Sequence, residues 1–457
     1  MGNSPSRGSL LPLAKAFAER GRLLYVVGGS VRDDLLGRPT HDVDLTTDAH
    51  PPEIKQLLIS CGAHSIFEIG AKFGTIGGTY RDLLVEITTF RGEQYEPGSR
   101  KPAVTFGASL EDDLSRRDFT INAIAQDVIS GELFDPFSGR DDLERQTIRA
   151  VGEPGDRFSE DPLRLLRAVR FACELGFGID PDTRRGIAEQ ADALAQISRE
   201  RIAQEMARLL TSSRPGTGIR WLCDLGLMRH VVPEVLAMRG MTQDRYHHKD
   251  VFEHTLQVVD QTSDSLSLRW AALLHDIAKP KTRTVEHGEV HFFGHEWVGE
   301  QMAEQILSRL NLDRPTITRV ALLVGMHQRA NSYDADWTDG AVRRFMREAG
   351  DGLDELLSLS RADVTSRRPE RVRAAARRVD DLESRIADIR AREDVERLAS
   401  PLDGNALMQM FGRGPGPWIK GLKDHLLAAV LDGTLAPDDA GLAEELARAY
   451  MADQHPV

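Results

Sequence analysis

The sequence predicts an α+β protein in which a mixed-sheet head at the N-terminus is followed by regions built of helices alone. Three observations carry that reading. Up to about residue 135, short apolar runs of strand length alternate with Gly, Pro and Asp turn signals. From near residue 160, apolar residues recur at spacings of three and four, and strand-like runs almost vanish. The chain has 457 residues, 41% hydrophobic and 28% charged, which is enough for about three cores of ordinary size.

The elements follow in order. Residues 9–21 form an amphipathic helix pattern closed by Gly21. Residues 23–27 are a compact apolar run, a buried strand that stops at Gly28-Gly29. Ser30 is placed to cap a short helix over 31–36, ended by Gly37 with Pro39 beyond it. Strand patterns recur at 42–47, 73–80, 83–90 and 123–128, with helical patterns at 51–61 and 119–126. Residues 91–109, which include Glu93, Tyr95, Pro97, Gly98 and Pro102, have the composition of a loop. Helical patterns then run over 159–175, 198–210, 218–225, 251–260 and 266–278, with one hairpin pattern at 281–293 around His287-Gly288. Residues 369–397 read as a long solvated helix, and the last sixty residues are helical.

Charge and cysteine usage exclude several functions. With 58 Lys+Arg against 71 Asp+Glu the net charge is −13, which argues against a protein that coats nucleic acid non-specifically. Any nucleic-acid contact must run through a local basic track, for which the Arg-rich stretches 164–170 and 199–201 are candidates. Cys61, Cys173 and Cys223 lie far apart without CxxC spacing, as expected of a reduced, cytoplasmic protein. No apolar run approaches the roughly 18 residues of a membrane span.

Two clusters point to chemistry. On a strand, Asp42 and Asp44 share a face while Val43 faces the core, so two carboxylates project together and repel unless a cation lies between them. Hard oxygen donors of this kind suit Mg²⁺ together with nucleotide phosphates. Upstream, Gly28-Gly29 at a helix start permits close approach of an anion, and Arg32 in the first turn can reach the same phosphates. Glu86, alternating with Leu84 and Thr88, is a third candidate carboxylate. The second cluster is made of histidines, because nine of the 14 fall between residues 230 and 327. His254 lies in a helix, His275-Asp276 closes another, His295 and His327 follow, and Asp363 sits on a later helix. Imidazoles and carboxylates in such numbers suit a divalent transition metal. His230 and His425 read as satisfied core residues.

Gly28-Gly29-Ser30-Val31-Arg32-Asp33 and Asp42-Val43-Asp44 resemble the head of the class II tRNA nucleotidyltransferase and bacterial poly(A) polymerase superfamily. The resemblance continues in order through Arg116-Arg117-Asp118-Phe119-Thr120-Ile121-Asn122-Ala123, then Asp135-Pro136-Phe137 with Gly139, Asp142 and Leu143, then Glu160-Asp161-Pro162-Leu163-Arg164. It implies a nucleotidyltransferase head over 1–150, a helical nucleotide-selecting and RNA-binding neck over 151–236, and transfer from CTP and ATP to a tRNA 3′ hydroxyl with release of pyrophosphate. Under it, Asp42 and Asp44 hold two Mg²⁺ ions, and Glu86 is counted with them as a candidate catalytic carboxylate. Gly28, Gly29, Arg32, Arg117, Arg167 and Arg170 bind nucleotide, and Asp161 with Arg164 reads the base. A plainer reading of the last pair makes Asp161 an N-cap and Arg164 a surface cation. The resemblance also associates a flexible loop at 91–109 with full CCA addition.

His254, His275-Asp276 and Asp363, with Asp276-Ile277-Ala278-Lys279-Pro280, resemble the HD phosphohydrolase superfamily. This implies an HD domain over 237–370, hydrolysing phosphomonoesters or cyclic phosphodiesters, and leaves 371–457 as a helical tail. Two alternatives stand beside a CCA-adding enzyme. One is a poly(A) polymerase, which shares the catalytic blocks, and the other is an HD hydrolase whose head only senses nucleotide. Oligomeric state is left open.

Overall fold

The computed structural model describes residues 5–39, 42–68, 74–94, 103–107, 109–242, 250–287, 289–365, 369–392 and 398–454. The chain divides into two compact units, Met1–Leu236 and Ala237–Val457. Among the described residues no helix is long and apolar enough to cross a membrane, and Cys61, Cys173 and Cys223 are all free thiols.

Among the described residues the head has ten strands: β1 (Leu24–Val27), β2 (Asp42–Thr47), β3 (His64–Phe67), β4 (Thr75–Tyr80), β5 (Leu83–Thr89), β6 (Arg91–Gln94), β7 (Ala103–Phe106), β8 (Ala125–Asp127), β9 (Leu133–Phe134) and β10 (Thr147–Ile148). Seven of them form one sheet in the order β3-β4-β5-β2-β1-β8-β9. β2 and β5 run parallel, while the other neighbours in this sheet are antiparallel. β1 lies inside the sheet, and its apolar run is buried at Leu24, Val26 and Val27.

Four sequence expectations change here. The helix after β1 spans Gly29–Leu35 and is capped by Gly28 at φ +70° with no side-chain cap. Ser30 instead donates its hydroxyl to the Asp42 carbonyl (3.2 Å) and accepts the Asp44 amide (3.1 Å). The glycine reverses the chain before Ser30 is reached, so the serine is released to tie the helix to β2. The helix expected over 119–126 is a single 3₁₀ turn, Thr120–Asn122, followed by β8. Ile121, Ala123, Ile124 and Ala125 are buried on all sides, and burial without a solvent face erases the periodicity that separates helix from strand. The expected loop at 91–109 pairs β6 with β7 in an antiparallel ribbon; residues 95–102 and 108 lie outside the described residues. The helix expected over 159–175 is two helices, Pro154–Glu160 and Leu163–Leu175. Pro162 drives the residue before it out of the helical region, and Asp161 is extended at φ −143°, ψ 100°.

Gly139 starts the helix Gly139–Glu144 under the 3₁₀ turn. Its amide and that of Arg140 donate to Asp135 (2.8 and 2.9 Å), while the hydroxyl of Thr120 donates to Asp142 (2.7 Å). This latch holds the 116–123 segment against the sheet.

In the second unit, the helices Val251–Gln261, Leu266–Leu274, His295–Arg309, Arg314–Asn331, Asp339–Ala349 and Leu353–Ala362 bury Phe252, Trp270, Leu273, Val320, Phe345 and Leu357. The expected hairpin is present as Thr284–Glu286 paired with Glu289–His291; Gly288 lies outside the described residues. The helix expected as solvated runs over Pro369–Arg392 and is packed, burying Ala375, Val379, Leu382, Ile386 and Ile389; residues 393–397 are outside the described set. Those five residues, spaced four and three apart, make one narrow seam, and the abundant charges cover the remaining faces. The tail helices Gly404–Phe411, Pro417–Leu431 and Ala440–Gln454 share a cluster of Leu407, Leu422, Leu426, Val430, Ala443 and Ala447. His425 is exposed and stacks on Tyr450 at 4.6 Å, so it is not a core histidine. His230 is half-buried and pairs with Asp192 at 3.0 Å.

A Cβ on Gly139 would collide with the Thr120 carbonyl and lie 2.9 Å from Ile124 Cγ1. Gly139→Ala should therefore cost about 1–3 kcal/mol through overpacking. The measurement is the urea midpoint of the first unit's unfolding transition, which should fall.

Candidate active site and metal centre

The head site is built on sheet register. β2 and β5 pair with Asp42 opposite Leu84 and Asp44 opposite Glu86, so the candidate third carboxylate stands directly beside Asp44. Asp44 is open by surface area but lies at the floor of a recess. Burial raises its pKa and Asp42 adds to the rise, against Arg117 and Arg32. Glu86 is raised by burial and then by Asp44 and Asp42. Asp44 and Glu86, raised by burial and by neighbouring carboxylates, form with Asp42 a donor set that a divalent cation relieves.

The recess has a volume of about 310 Å³ and is lined by Val27, Asp44, Leu45, Thr88, Arg116, Arg117, Asp118, Asp161, Arg164 and Arg167. It therefore brings Asp44, Arg117, Asp161, Arg164 and Arg167 together. Gly28 is at its edge, where a Cβ would lie 2.6 Å from Arg117 Nη1 and 3.6 Å from Asp44 Oδ2. Only a residue without a side chain fits there at positive φ. The Nε of Arg117 is buried without a hydrogen-bond partner.

Asp161 and Arg164 face the recess from opposite sides of the helix break. The carboxylate of Asp161 accepts the Leu163 amide at Oδ1 (3.1 Å) and Arg201 Nη2 at Oδ2 (2.8 Å); the N-cap position of the helix is Pro162, so Asp161 is not its N-cap. Arg164 donates to Glu160 (2.7 Å) and to the carbonyls of Arg157 (3.1 Å) and Arg116 (2.9 Å). It is 8% exposed, which rules out the ordinary surface cation.

Two of the expected nucleotide-binding arginines, Arg32 and Arg170, are not among the residues that line the recess. Arg32 is buried and donates to both oxygens of Asp33 (2.9 and 2.8 Å) and to Asn122 Oδ1 (2.7 Å), which braces the turn beside Asp44. Arg170 is 0% exposed, paired with Glu174 and Glu205 and lying 3.9 Å over the Phe171 ring. At spacing of three along one helix, Arg164 and Arg167 reach the recess while Arg170 has rotated into the core.

Sequence reasoning passed over Asp118. Its carboxylate accepts Arg167 Nε and Nη2 (2.9 and 2.6 Å), Asn122 Nδ2 (3.0 Å) and the Phe119 amide (2.9 Å). The available signal was Asn122 four residues on, within the same motif.

The second unit holds a different centre. His254 Nε2 lies 3.2 Å from His275 Nε2 and 2.9 Å from Asp363 Oδ1. His275 Nε2 is 3.2 Å from Asp276 Oδ2. His295 and His327 face each other with Nε2 atoms 3.3 Å apart, and His295 Nε2 is 3.6 Å from Asp276 Oδ1. Two groups, His254/His275/Asp276 and Asp276/His295/His327, thus converge within 4.8 Å and share Asp276. The outward nitrogens are all engaged: Nδ1 of His254 meets Thr365 Oγ1 (2.6 Å), and those of His275, His295 and His327 meet the carbonyls of Ala272 (2.9 Å), Phe292 (2.8 Å) and Val324 (2.6 Å). With the proton on Nδ1, each Nε2 presents a lone pair inward, the arrangement metal-ligating histidines use.

Asp276 Oδ1 is buried without a hydrogen-bond partner. Burial alone would lower His275, but Asp276 and Asp363 outweigh it and push it up to about 10. Burial and His275 drive His327 down to about 4. Asp276 and Asp363 are held well below the usual range despite their burial. A pocket this hungry for positive charge, with an orphaned oxygen and facing lone pairs, fits a bound divalent metal.

Residues 24–149 match the model of the poly A polymerase head domain, 176–238 that of the "Probable RNA and SrmB- binding site of polymerase A", and 246–368 the HD domain. The chain is 36% identical to an A-adding tRNA nucleotidyltransferase of Deinococcus radiodurans over 86% of its own length and 88% of the relative's. It is 31% identical to a CCA-adding enzyme of a Geobacillus species over 93% and 92%. The chain belongs to the tRNA nucleotidyltransferase family. The crystal structure of the Bacillus stearothermophilus CCA-adding enzyme in complex with CTP superposes on this nucleotidyltransferase with a TM-score of 0.70 at 29% identity, covering 98% of this chain and 99% of that one. A helical HD domain behind a mixed-sheet head is thus the architecture of this member.

Asp118 in this nucleotidyltransferase is held down to about 2; burial alone would raise it, and Arg167 and Asn122 outweigh that. A carboxyl depressed from near 4 contributes stability above that pH and loses it as pH falls toward 2, a contribution of about 2 kcal/mol at one pKa unit per 1.36 kcal/mol. Asp118→Asn should therefore be less stable than the parent at neutral pH, with the difference vanishing near pH 2, as followed by urea unfolding across pH.

Proposed function

We propose that the chain adds C, C and A to the 3′ end of tRNA from CTP and ATP, without a nucleic-acid template, and releases pyrophosphate. The observation that carries this reading is the recess in the head, where Asp44, with Glu86 in register beside it, shares one space with Arg117, Asp161 and Arg164. Asp42, Asp44 and Glu86 would hold Mg²⁺. When bound, the ions ease deprotonation of the attacking 3′ hydroxyl and stabilise charge on the leaving pyrophosphate.

The protein groups do the rest. Arg117, with Nη1 beside the Gly28 backbone, meets the triphosphate. Asp161 is an acceptor anchored by Leu163 and Arg201, and Arg164 is a donor fork anchored at three points. Bonds at that fork leave Nε and one Nη2 hydrogen for the polar edge of a base. An acceptor and a donor held on separate sides of a helix break can discriminate cytosine and adenine from other bases by hydrogen bonding alone. Arg167 closes the wall against Asp118 and binds nucleotide through the charge left exposed.

The named relatives support tRNA as the acceptor, and they also motivate a second reading, addition of the terminal A alone, since one of them is an A-adding enzyme. Incubation with tRNA lacking its 3′ end, or ending in CC, with CTP, ATP or both, separates the readings. CCA followed by a stop is expected. Extension only of the CC-ended substrate supports A addition, long A tracts indicate a poly(A) polymerase, and no extension means a head that only senses. Asp42→Ala should abolish extension with an unchanged melting temperature; extension at near the parental rate would remove the metal-holding role.

We further propose that the second unit hydrolyses phosphomonoesters or cyclic phosphodiesters with a divalent transition metal held by His254, His275, Asp276 and Asp363, and with His295 and His327 completing the Asp276 side. Such a metal supplies an activated water at neutral pH. Elemental analysis should find divalent metal in the purified chain and much less in His275→Ala and Asp276→Ala, with phosphatase activity falling in parallel and tRNA extension retained. Unchanged metal content in both variants would make this unit a support only.

A further inference from the structure

Residues 111–113 are three consecutive acids at the start of a helix, a pattern that reads as a solvated N-terminal turn. They are not equivalent. Asp112 forms a capping box with Ser109 and is exposed. Asp113 turns the other way and is 0% exposed. Its Oδ1 accepts Arg116 Nε and Nη2 (3.1 and 2.7 Å). Its Oδ2 is 3.3 Å from the Thr46 hydroxyl and 3.6 Å from Arg117 Nη2. Thr46 follows Asp44 by two residues on β2 and shares its face. One buried carboxylate therefore links the strand of catalytic carboxylates to both arginines of the recess wall.

The two arginines receive different treatment. Arg116 is gripped by paired bonds to a single oxygen, and its carbonyl in turn accepts Arg164 Nη2 at 2.9 Å. Among the described residues, Arg117 makes a long contact to Asp113 (3.6 Å) and a 3.5 Å contact to the Asn122 carbonyl, with the bare backbone of Gly28 beside it. A guanidinium orients strongly when a carboxylate grips it and weakly when the carboxylate stands off.

We propose that Asp113 is the positioning residue that divides the work of the arginine pair, locking Arg116 as a support for Arg164 and leaving Arg117 aimed into the recess to meet the nucleotide triphosphate. The inference rests on the proposed role of Arg117. Removing one partner of a buried ion pair costs stability whatever else that partner does, so what separates a positioning role from a purely structural one is a change in KM for the nucleotide. Here the charge is what keeps Arg117 turned toward the anion without occupying it.

The test uses the full-length chain in tRNA extension, with Asp113→Asn, Asp113→Glu, Arg117→Ala and the Asp113→Asn/Arg117→Ala double variant. Asp113→Asn should raise the KM for CTP and ATP about tenfold, the effect of one charge-assisted hydrogen bond, with kcat changed far less. Asp113→Glu restores the charge and should recover most of that loss. In the Arg117→Ala background, Asp113→Asn should add little further to KM, since coupled partners are not additive. A parental KM in Asp113→Asn, or the same fold-increase with and without Arg117, overturns the inference while a raised KM in Arg117→Ala preserves the reading of Arg117. An unchanged KM in Arg117→Ala overturns that reading and the inference with it. If Asp113→Asn does not fold, Asp113→Glu decides, because a folded Asp113→Glu with a KM tenfold above the parent shows that the charge is not what positions Arg117.

Discussion

Parallel pairing of β2 with β5 is the constraint on which the head depends. It sets Asp44 opposite Glu86, two residues from Asp42 on the same face, so three negative groups are fixed in one place by backbone hydrogen bonds in which their side chains take no part. Side chains on a sheet cannot retreat from one another as loop residues can. The repulsion shows in the raised pKa of Asp44 and Glu86, and it is relieved by positive charge from outside the strand pair. The surrounding elements follow from that demand. Gly28 removes a side chain so that Arg117 can come close, Ser30 ties the helix Gly29–Leu35 to β2, and the helix break at Asp161 turns an acceptor toward the same recess.

The second unit solves a related problem with different chemistry. Its negative groups are two carboxylates, and its other donors are imidazoles whose direction is set by the proton on the far nitrogen. Backbone carbonyls of Ala272, Phe292 and Val324 fix that proton for three of the histidines. The ring orientation is therefore decided by helix and turn geometry. Asn331 holds the second oxygen of Asp363 (2.6 Å), and Lys279 that of Asp276 (2.7 Å), which leaves the remaining oxygens for the centre. Oxygen donors alone in the head and mixed nitrogen and oxygen donors in the helical unit match a hard cation in the first case and a borderline one in the second.

Much of this was legible from local pattern. Alternation placed Asp42 and Asp44 on one face, helix spacing placed His254 on a helix, and the turn signals at 281–293 marked the hairpin. The net charge of −13 was also informative, since much of the acid is internal to ion pairs such as Arg167–Asp118 and Arg170–Glu205. Where the pattern misled, the cause was a missing solvent face or a hidden partner. Residues 119–126 read as a helix because they are buried all round. The helix Pro369–Arg392 reads as solvated because its seam is narrow. The sequence shows the charge of Arg32 and Arg170 and not the carboxylates they pair with.

What the sequence by itself determined is the inventory: which carboxylates, histidines and arginines exist, in which order, and on which local elements, because those follow from spacing along the chain. What only the tertiary structure decided is which of them are available. Arg117 and Arg32 are the same residue type and the sequence assigns both to the nucleotide, yet Arg117 lines the recess while Arg32 does not and is bonded to Asp33 and Asn122. Availability is the difference between a group's hydrogen-bonding capacity and the bonds its folded neighbours have already made with it. Those neighbours come from segments up to ninety residues away, and no spacing rule along the chain reports them.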